Sequence, residues 1–310
     1  MTNNIFYAAP LPWRRRHPIL FWLGIIVLLW LILSIARGVY LASQPGGPLS
    51  GPYFGVVHVE GVIMDSRPVL EWIEALEKDK NVVGVLVRIE SPGGAVTPSE
   101  EIYTALARLA ASRPVVASLG AMAASGGYMA ALPAKAIVAN PTTLTGSVGV
   151  RMELPNMQGL MGKIGITHEA LTSGDLKAAG SPFSVLTDKE RAYFMALIQD
   201  MFERFVDMVK KHRRLTPEAL TAISDGRAVT GRQALDLGLV DSLGDQPRAL
   251  NVLKELCQVK EDLPLLEGPE KENYSLLRLV LGEAVFNNLS KVLERLSLEA
   301  EEPGVVKFYY

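Results

Sequence analysis

The run Val82-Val83-Gly84-Val85-Leu86-Val87-Arg88-Ile89 is apolar at almost every position and leads straight into Ser91-Pro92-Gly93-Gly94. A strand that is apolar on both faces needs cover on both, the setting of a parallel sheet between helices. The same scheme recurs on either side. Phe54 to Ile63 is β-rich and partly alternating, and Pro68 to Leu76 carries Leu70, Ile73 and Leu76 at a helical period. After the glycine pair, Thr97-Pro98-Ser99-Glu100 reads as a capping box opening a helix whose buried face is Ile102, Leu106 and Leu109. Val115 to Leu119 is the next strand. Ala121 to Ala131, a run of small residues around Ser125, reads as the start of a helix, and Lys135 to Ala139 as a short strand. This β-α-β-α-β alternation predicts an α/β fold with a mainly parallel sheet flanked by helices. Sites in such sheets gather at the carboxyl ends of strands. Both the Gly93-Gly94 turn and Ser125 follow strands.

The second half is helical. Thr187-Asp188-Lys189-Glu190 is another capping box, opening a helix to about Lys211 with Phe194, Ile198, Met201, Phe205 and Met208 on one stripe. That stripe reads as core or subunit contact. The basic cluster Lys210-Lys211-His212-Arg213-Arg214 complements the helix dipole at its end. Short helices follow at 216–223, 231–237 and 246–256. A leucine-rich helical pattern spans Tyr274 to Leu298. It reads as an arm on a neighbouring subunit or a membrane-surface helix; its lack of strong basic character favours the arm.

Near the N-terminus, Arg14-Arg15-Arg16-His17 precede an apolar run over 19–36. At about 1.5 Å per residue such a run crosses a hydrocarbon core. Three arginines before it against Arg37 alone after it predict a cytoplasmic N-terminus, with the remainder extracytoplasmic. A cleaved signal peptide is the alternative, but the run is longer than a usual signal core and no A-x-A site follows. Gln44 to Pro52, rich in Gly and Pro, reads as a tether.

Several chemistries are excluded. Lys plus Arg total 31 against 33 Asp plus Glu, which gives no reason to expect nucleic-acid binding. The single cysteine, Cys257, forms no internal disulfide and no cysteine metal site. His17, His58, His168 and His212 stand at no zinc-binding spacing, so no metal or cofactor is expected.

What remains is nucleophilic chemistry. A serine hydroxyl needs a base to take its proton. No histidine here sits in a suggestive setting, and a lysine serves if desolvation leaves it neutral part of the time. Lys177, within Ser173-Gly174-Asp175-Leu176-Lys177-Ala178-Ala179-Gly180, is the first candidate and Lys163 the next. A loop lysine is usually just solvated. For Ser125 the competing reading is that a small residue lets a helix pack closely on a sheet. Its place after a strand and before Gly126-Gly127 favours a nucleophile. Ser147, in Thr145-Gly146-Ser147-Val148-Gly149-Val150, could orient a lysine or be an ordinary turn serine.

Taken together, Ser91-Pro92-Gly93-Gly94, Met122 to Tyr128, Thr145 to Val150 and Gly174 to Phe183 resemble the signal peptide peptidase A family of membrane-bound serine proteases, short form. The resemblance covers about 53–256. It implies the Clp protease/crotonase-like fold, with one N-terminal transmembrane helix. It further implies a Ser/Lys dyad of Ser125 and Lys177, with Ser147 holding the lysine. The oxyanion donors would be backbone N–H groups of Gly93 or Gly94 and of Gly126. Implied partners are the bilayer, further copies of the chain sharing active sites across subunits, and released signal peptides cut within their apolar segments. The organisation expected is a cytoplasmic N-terminus (1–18), transmembrane anchor (19–36), linker (37–52), protease domain (53–256) and C-terminal helical extension with tail (257–310). Glu90 departs from the family, which commonly has Asp or Asn there, and the change is expected to matter little. Two other readings are a crotonase-like acyl-CoA enzyme and a catalytically silent membrane scaffold. Extracytoplasmic placement argues against the first, and intact Ser125, Lys177 and Ser147 against the second.

Overall fold

The apolar strands pair side by side as their composition demands. The computed structural model describes residues 17, 21–23, 25–33 and 51–269. Strands β1 (Tyr53–Ile63), β2 (Val82–Gly94) and β3 (Val115–Ala124) form the parallel centre of an eight-stranded sheet. Helix α1 (Arg67–Lys78) connects β1 to β2, and α2 (Val96–Ser112) connects β2 to β3. Beyond β3 come α3 (Gly126–Ala131), β4 (Ala136–Ala139), β5 (Leu144–Gly146), α4 (Gln158–Lys163), α5 (Asp188–His212) and α6 (Pro217–Ile223). The last elements are β6 (Ala228–Thr230), α7 (Gly231–Asp236), β7 (Ser242–Leu243), α8 (Gln246–Cys257) and β8 (Leu265–Gly268). The order across the sheet is β6-β5-β3-β2-β1-β8, with β4 between β3 and β7. Every pairing is parallel except β5 with β6.

The two faces of the sheet take different cover. Phe54, Val56, Leu86, Val116 and Val138 pack against Ala249 and Leu253 of α8. Gly55 points the other way, where a Cβ would lie 2.7 Å from Leu76 of α1. Each large side chain buried in this manner stabilises the fold by about 1.5–3 kcal/mol. Arg113 links the faces at one end. Its guanidinium donates to the carbonyls of Leu76, Glu77, Asp79 and Val82, closing the C-terminus of α1.

Residues Pro52–Lys271 form one compact unit. β8 belongs to its sheet, pairing with the first half of β1, so the sheet reaches beyond residue 256. Only part of the apolar run at 19–36 lies among the described residues. Residues 21–23 and 25–33 are helical, and no helix among the described residues is long and apolar enough to cross a membrane. The helical pattern at Tyr274 to Leu298 and the tail lie outside the described residues.

Three expectations need correction. β2 continues through Gly94, so Ser91-Pro92-Gly93-Gly94 is strand end rather than a separate turn. β3 continues to Ala124, so Ala121 to Ala124 are extended and the helix starts at Gly126. Thr97 is not a cap. The Ala95 N–H is tied to the Ile63 carbonyl at 2.8 Å, which sends the chain into α2 two residues early with Ala95 at the N-cap. Glu100 pairs with Arg204 of α5 instead. By contrast, both halves of the capping box of Thr187 and Glu190 form.

The C-terminal end of α5 meets α2 through Tyr103, whose hydroxyl lies 2.8 Å from His212 Nε2. Burial, aided by the charges of Lys211 and Arg213, holds the His212 pKa below the usual histidine range. The unfolded chain then binds this proton at a higher pH than the folded one. Stability must fall as pH drops through the ordinary histidine value of about 6.5, and this group contributes no slope above it. The urea midpoint of the native chain should therefore fall more between about pH 7 and pH 5.5 than that of His212→Gln. Parallel curves for the two proteins would contradict this linkage.

Candidate active site

The site is built where β2 and β3 end side by side. Ser91 is fully buried; its hydroxyl donates to the Gly61 carbonyl at 2.6 Å and accepts from the Gly93 N–H at 3.1 Å. That clamp sets Gly93 at φ +92, a value suited to glycine. A Cβ at Gly93 would lie 2.8 Å from the Ser125 Cβ and 2.7 Å from the Gly126 nitrogen. The glycine segment and the serine are thus in direct backbone contact.

Ser125 lies between β3 and α3 with φ 53 and ψ −121, a conformation that costs a non-glycine residue about 1–3 kcal/mol. It is held there from several directions. Its N–H donates to the Gly146 carbonyl at 2.9 Å, and its carbonyl accepts from Met129 at 2.9 Å. Thr145 Oγ1 donates to the Ala123 carbonyl at 2.7 Å, fixing the preceding strand. Ser125 itself is half-buried, so a sharp bend presents one hydroxyl at a partly open surface.

Of the two glycines that end β2, Gly93 is buried and its N–H is engaged by Ser91. Gly94 is exposed. Because Ala95 donates to Ile63, the alternation of a parallel ladder turns the Gly94 N–H away from β1, to the side on which Ser125 stands. The Gly126 N–H belongs to the first turn of α3, where no intrahelical acceptor is available.

Ser147 follows β5 at φ 52. Its hydroxyl donates to the Gly226 carbonyl at 3.2 Å and its N–H to Arg227 at 2.9 Å. Its hydroxyl is thus directed to backbone and not to a lysine. Lys177 is not brought to Ser125 or Ser147 within the chain. It is exposed on the segment 151–187, and no hydrogen bond or ion pair among the described residues engages its amine. Lys163 is likewise exposed, at the end of α4. Almost all of 151–177 is exposed, including Leu160 at 60%, Ile164 at 62% and Leu171 at 92%. The segment is held mainly by its own contacts, such as Met157 N–H to the Pro182 carbonyl and the His168 ring against Phe183.

Sequence reasoning missed Ser91 and Thr145 as supports of this site. The available signal was a hydroxyl one or two residues before a glycine at each of two strand ends.

Comparison with known proteins gives this arrangement its class. The model of peptidase family S49 matches residues 107–260. An inferred protease of Methanocaldococcus jannaschii is 37% identical over 74% of this chain and 74% of its own length. An inferred signal peptide peptidase of Enterococcus faecium is 35% identical over 60% of this chain and 54% of its own. The chloroplastic serine protease SPPA of Arabidopsis thaliana is 31% identical over 75% of this chain and 33% of its own. The chain belongs to peptidase family S49, and its chemistry is that of a peptidase.

Proposed function

We propose that this chain is a serine endopeptidase of the Clp protease/crotonase-like fold, acting on apolar peptides with Ser125 as nucleophile. The observation that carries this reading is the strained Ser125 bend, pressed against Gly93 and braced by β5. Ser125 Oγ adds to the scissile carbonyl while an amine base takes its proton. The Gly94 and Gly126 N–H groups receive the oxyanion. The base returns the proton to the leaving amine, and water then releases the acyl group by the same route.

The base in this reading is Lys177 of a neighbouring copy. Lys177 is exposed within its own subunit, and burial against a neighbouring copy would supply the desolvation a lysine base needs. The apolar side chains along 151–187 suit burial against another copy. Ser147 would hold the incoming amine, exchanging its bond to Gly226.

Peptides of apolar character fit the surroundings. Val62 on β1 and Met64 just after it are 62% and 70% exposed, beside the Gly93-Gly94 segment with which Val62 and Ile63 pair. Released signal peptides are the proposed substrates, in keeping with the name of the E. faecium relative. The apolar run at 19–36 is proposed as a single-pass anchor with the N-terminus cytoplasmic and the peptidase unit extracytoplasmic. Its described part is helical and its large side chains, such as Trp22 and Trp30, are exposed.

The test is hydrolysis of an apolar fluorogenic peptide by the full chain and by Ser125→Ala; undiminished activity in the variant would refute the reading. A narrower result concerns binding. Val62→Asp and Met64→Asp should each raise KM for an apolar peptide about three- to tenfold with kcat nearly unchanged. Stability should hardly move, because both side chains are already exposed. An unchanged KM would remove these residues from the substrate path.

A further inference from the structure

The ladder between β2 and the strand that delivers Ser125 is interrupted just before that strand ends. Ile89 pairs with Leu119, but the next pair is Ser91 with Ala123. One residue of β2, Glu90, therefore stands opposite Gly120, Ala121 and Met122 of β3. At the same place β3 exchanges its other neighbour, pairing with β4 up to Leu119 and with β5 from Met122. A bulge of this size strips ladder partners from the backbone. On the far side Thr143 Oγ1 donates to the Gly120 carbonyl at 2.6 Å. On the near side Glu90 takes over. Its carboxylate accepts from the Ala121 N–H at 3.0 Å and from the Met122 N–H at 3.1 Å, one on each oxygen.

Two further contacts seat that carboxylate. Arg88 Nη2 lies 3.6 Å from it, while Arg88 Nη1 donates to Ser118 Oγ at 3.1 Å. Gly120 leaves the space: a Cβ there would fall 1.7 Å from Glu90 Oε2. A carboxylate, a notch and two freed donors thus fit one another, three residues ahead of Ser125.

We propose that Glu90 is a positioning residue for the nucleophile, its carboxylate standing in for the missing ladder and fixing the angle at which β3 enters the Ser125 bend. The proposal rests on Ser125 being the nucleophile. Without the carboxylate the Ala121–Met122 peptide groups turn to water and the bend loses its reference to β2. A nucleophile displaced by a fraction of an ångström loses rate rather than affinity.

The test uses the full chain with an apolar fluorogenic peptide and, per folded molecule, the rate of labelling by a fluorophosphonate. Glu90→Ala should lower kcat and the labelling rate about 10- to 100-fold with KM within about threefold. Glu90→Gln, which keeps one acceptor oxygen for the two N–H groups, should recover part of both. Gly120→Ala should impair the enzyme with Glu90 intact, because its methyl group takes the carboxylate's place. In Glu90→Ala/Gly120→Ala the methyl enters an empty notch, so the double variant should be no worse than Glu90→Ala alone. Native kcat in Glu90→Ala, failure of Glu90→Gln to improve on it, or additive losses in the double variant would each overturn the proposal. If Glu90→Ala does not fold, Glu90→Gln against Gly120→Ala decides by the same labelling rate. Ser125→Ala run alongside separates the two claims: a dead Ser125→Ala with a fully active Glu90→Ala refutes only the role of Glu90, whereas an active Ser125→Ala refutes the nucleophile itself.

Discussion

Ser125→Ala and Lys177→Ala will each lower peptide hydrolysis by at least about a thousandfold, and mixing the two inactive chains will restore part of it. The argument is geometric. Ser125 is locked into the bend between β3 and α3, whereas Lys177 sits on the exposed segment 151–187 with no described partner for its amine. If the two meet only across a subunit boundary, each variant chain lacks a different half of the site. Unfolded together and refolded as an equal mixture, random pairing unites intact Ser125 with intact Lys177 at about a quarter of the boundaries. Activity returning towards that fraction would establish a shared site. A mixture that stays dead would place both residues in one subunit, and a fully active Lys177→Ala would move the search for the base to Lys163.

Gly94→Ala will cost about 3 kcal/mol or more of stability and will remove activity beyond that loss. A Cβ at Gly94 would lie 2.1 Å from the Ile63 carbonyl oxygen and 2.6 Å from the Ile63 nitrogen and carbonyl carbon. All three are backbone atoms of the adjoining strand, so no side chain can swing aside. β1 and β2 must separate where they frame the site, and the Gly94 N–H must leave its place. The measurements are the urea midpoint and kcat at a temperature where the variant stays folded. A variant with native values for both would show that the strands can open without consequence, and the oxyanion role of Gly94 would fall with it.

The sheet was legible wherever strands are long and apolar. Val82 to Ile89 and Val115 to Leu119 announce β2 and β3, and the box of Thr187 and Glu190 announces α5. Legibility failed where the partner, not the strand, decides. Ala121 to Ala124 have neither period nor bulk, and the Glu90 carboxylate, the pairing of Ala123 with Ser91, and β5 keep them extended. Strands β5 to β8 are two to four residues long and find neighbours far away in the chain. The capping pattern at Thr97 was outweighed by one backbone bond from Ala95 to Ile63. For the site, the glycines and Ser125 could be read as a group because they end adjacent strands. Ser147 could not, since its left-handed bend depends on the carbonyls of Gly226 and Arg227. The proposed meeting of Ser125 with Lys177 is not written in the fold of one chain at all.

The parallel direction of β1 separates attachment from chemistry. The chain enters the sheet at Tyr53, while Ile63, at the other end of β1, borders Gly94 beside Ser125. At about 3.3 Å per residue the strand puts roughly 35 Å between the point of entry and the site. If the chain is anchored as proposed, the length of residues 37–52 and not the catalytic groups would set the reach of Ser125. Shortening that stretch would change which peptides the enzyme meets while leaving what it does to them untouched.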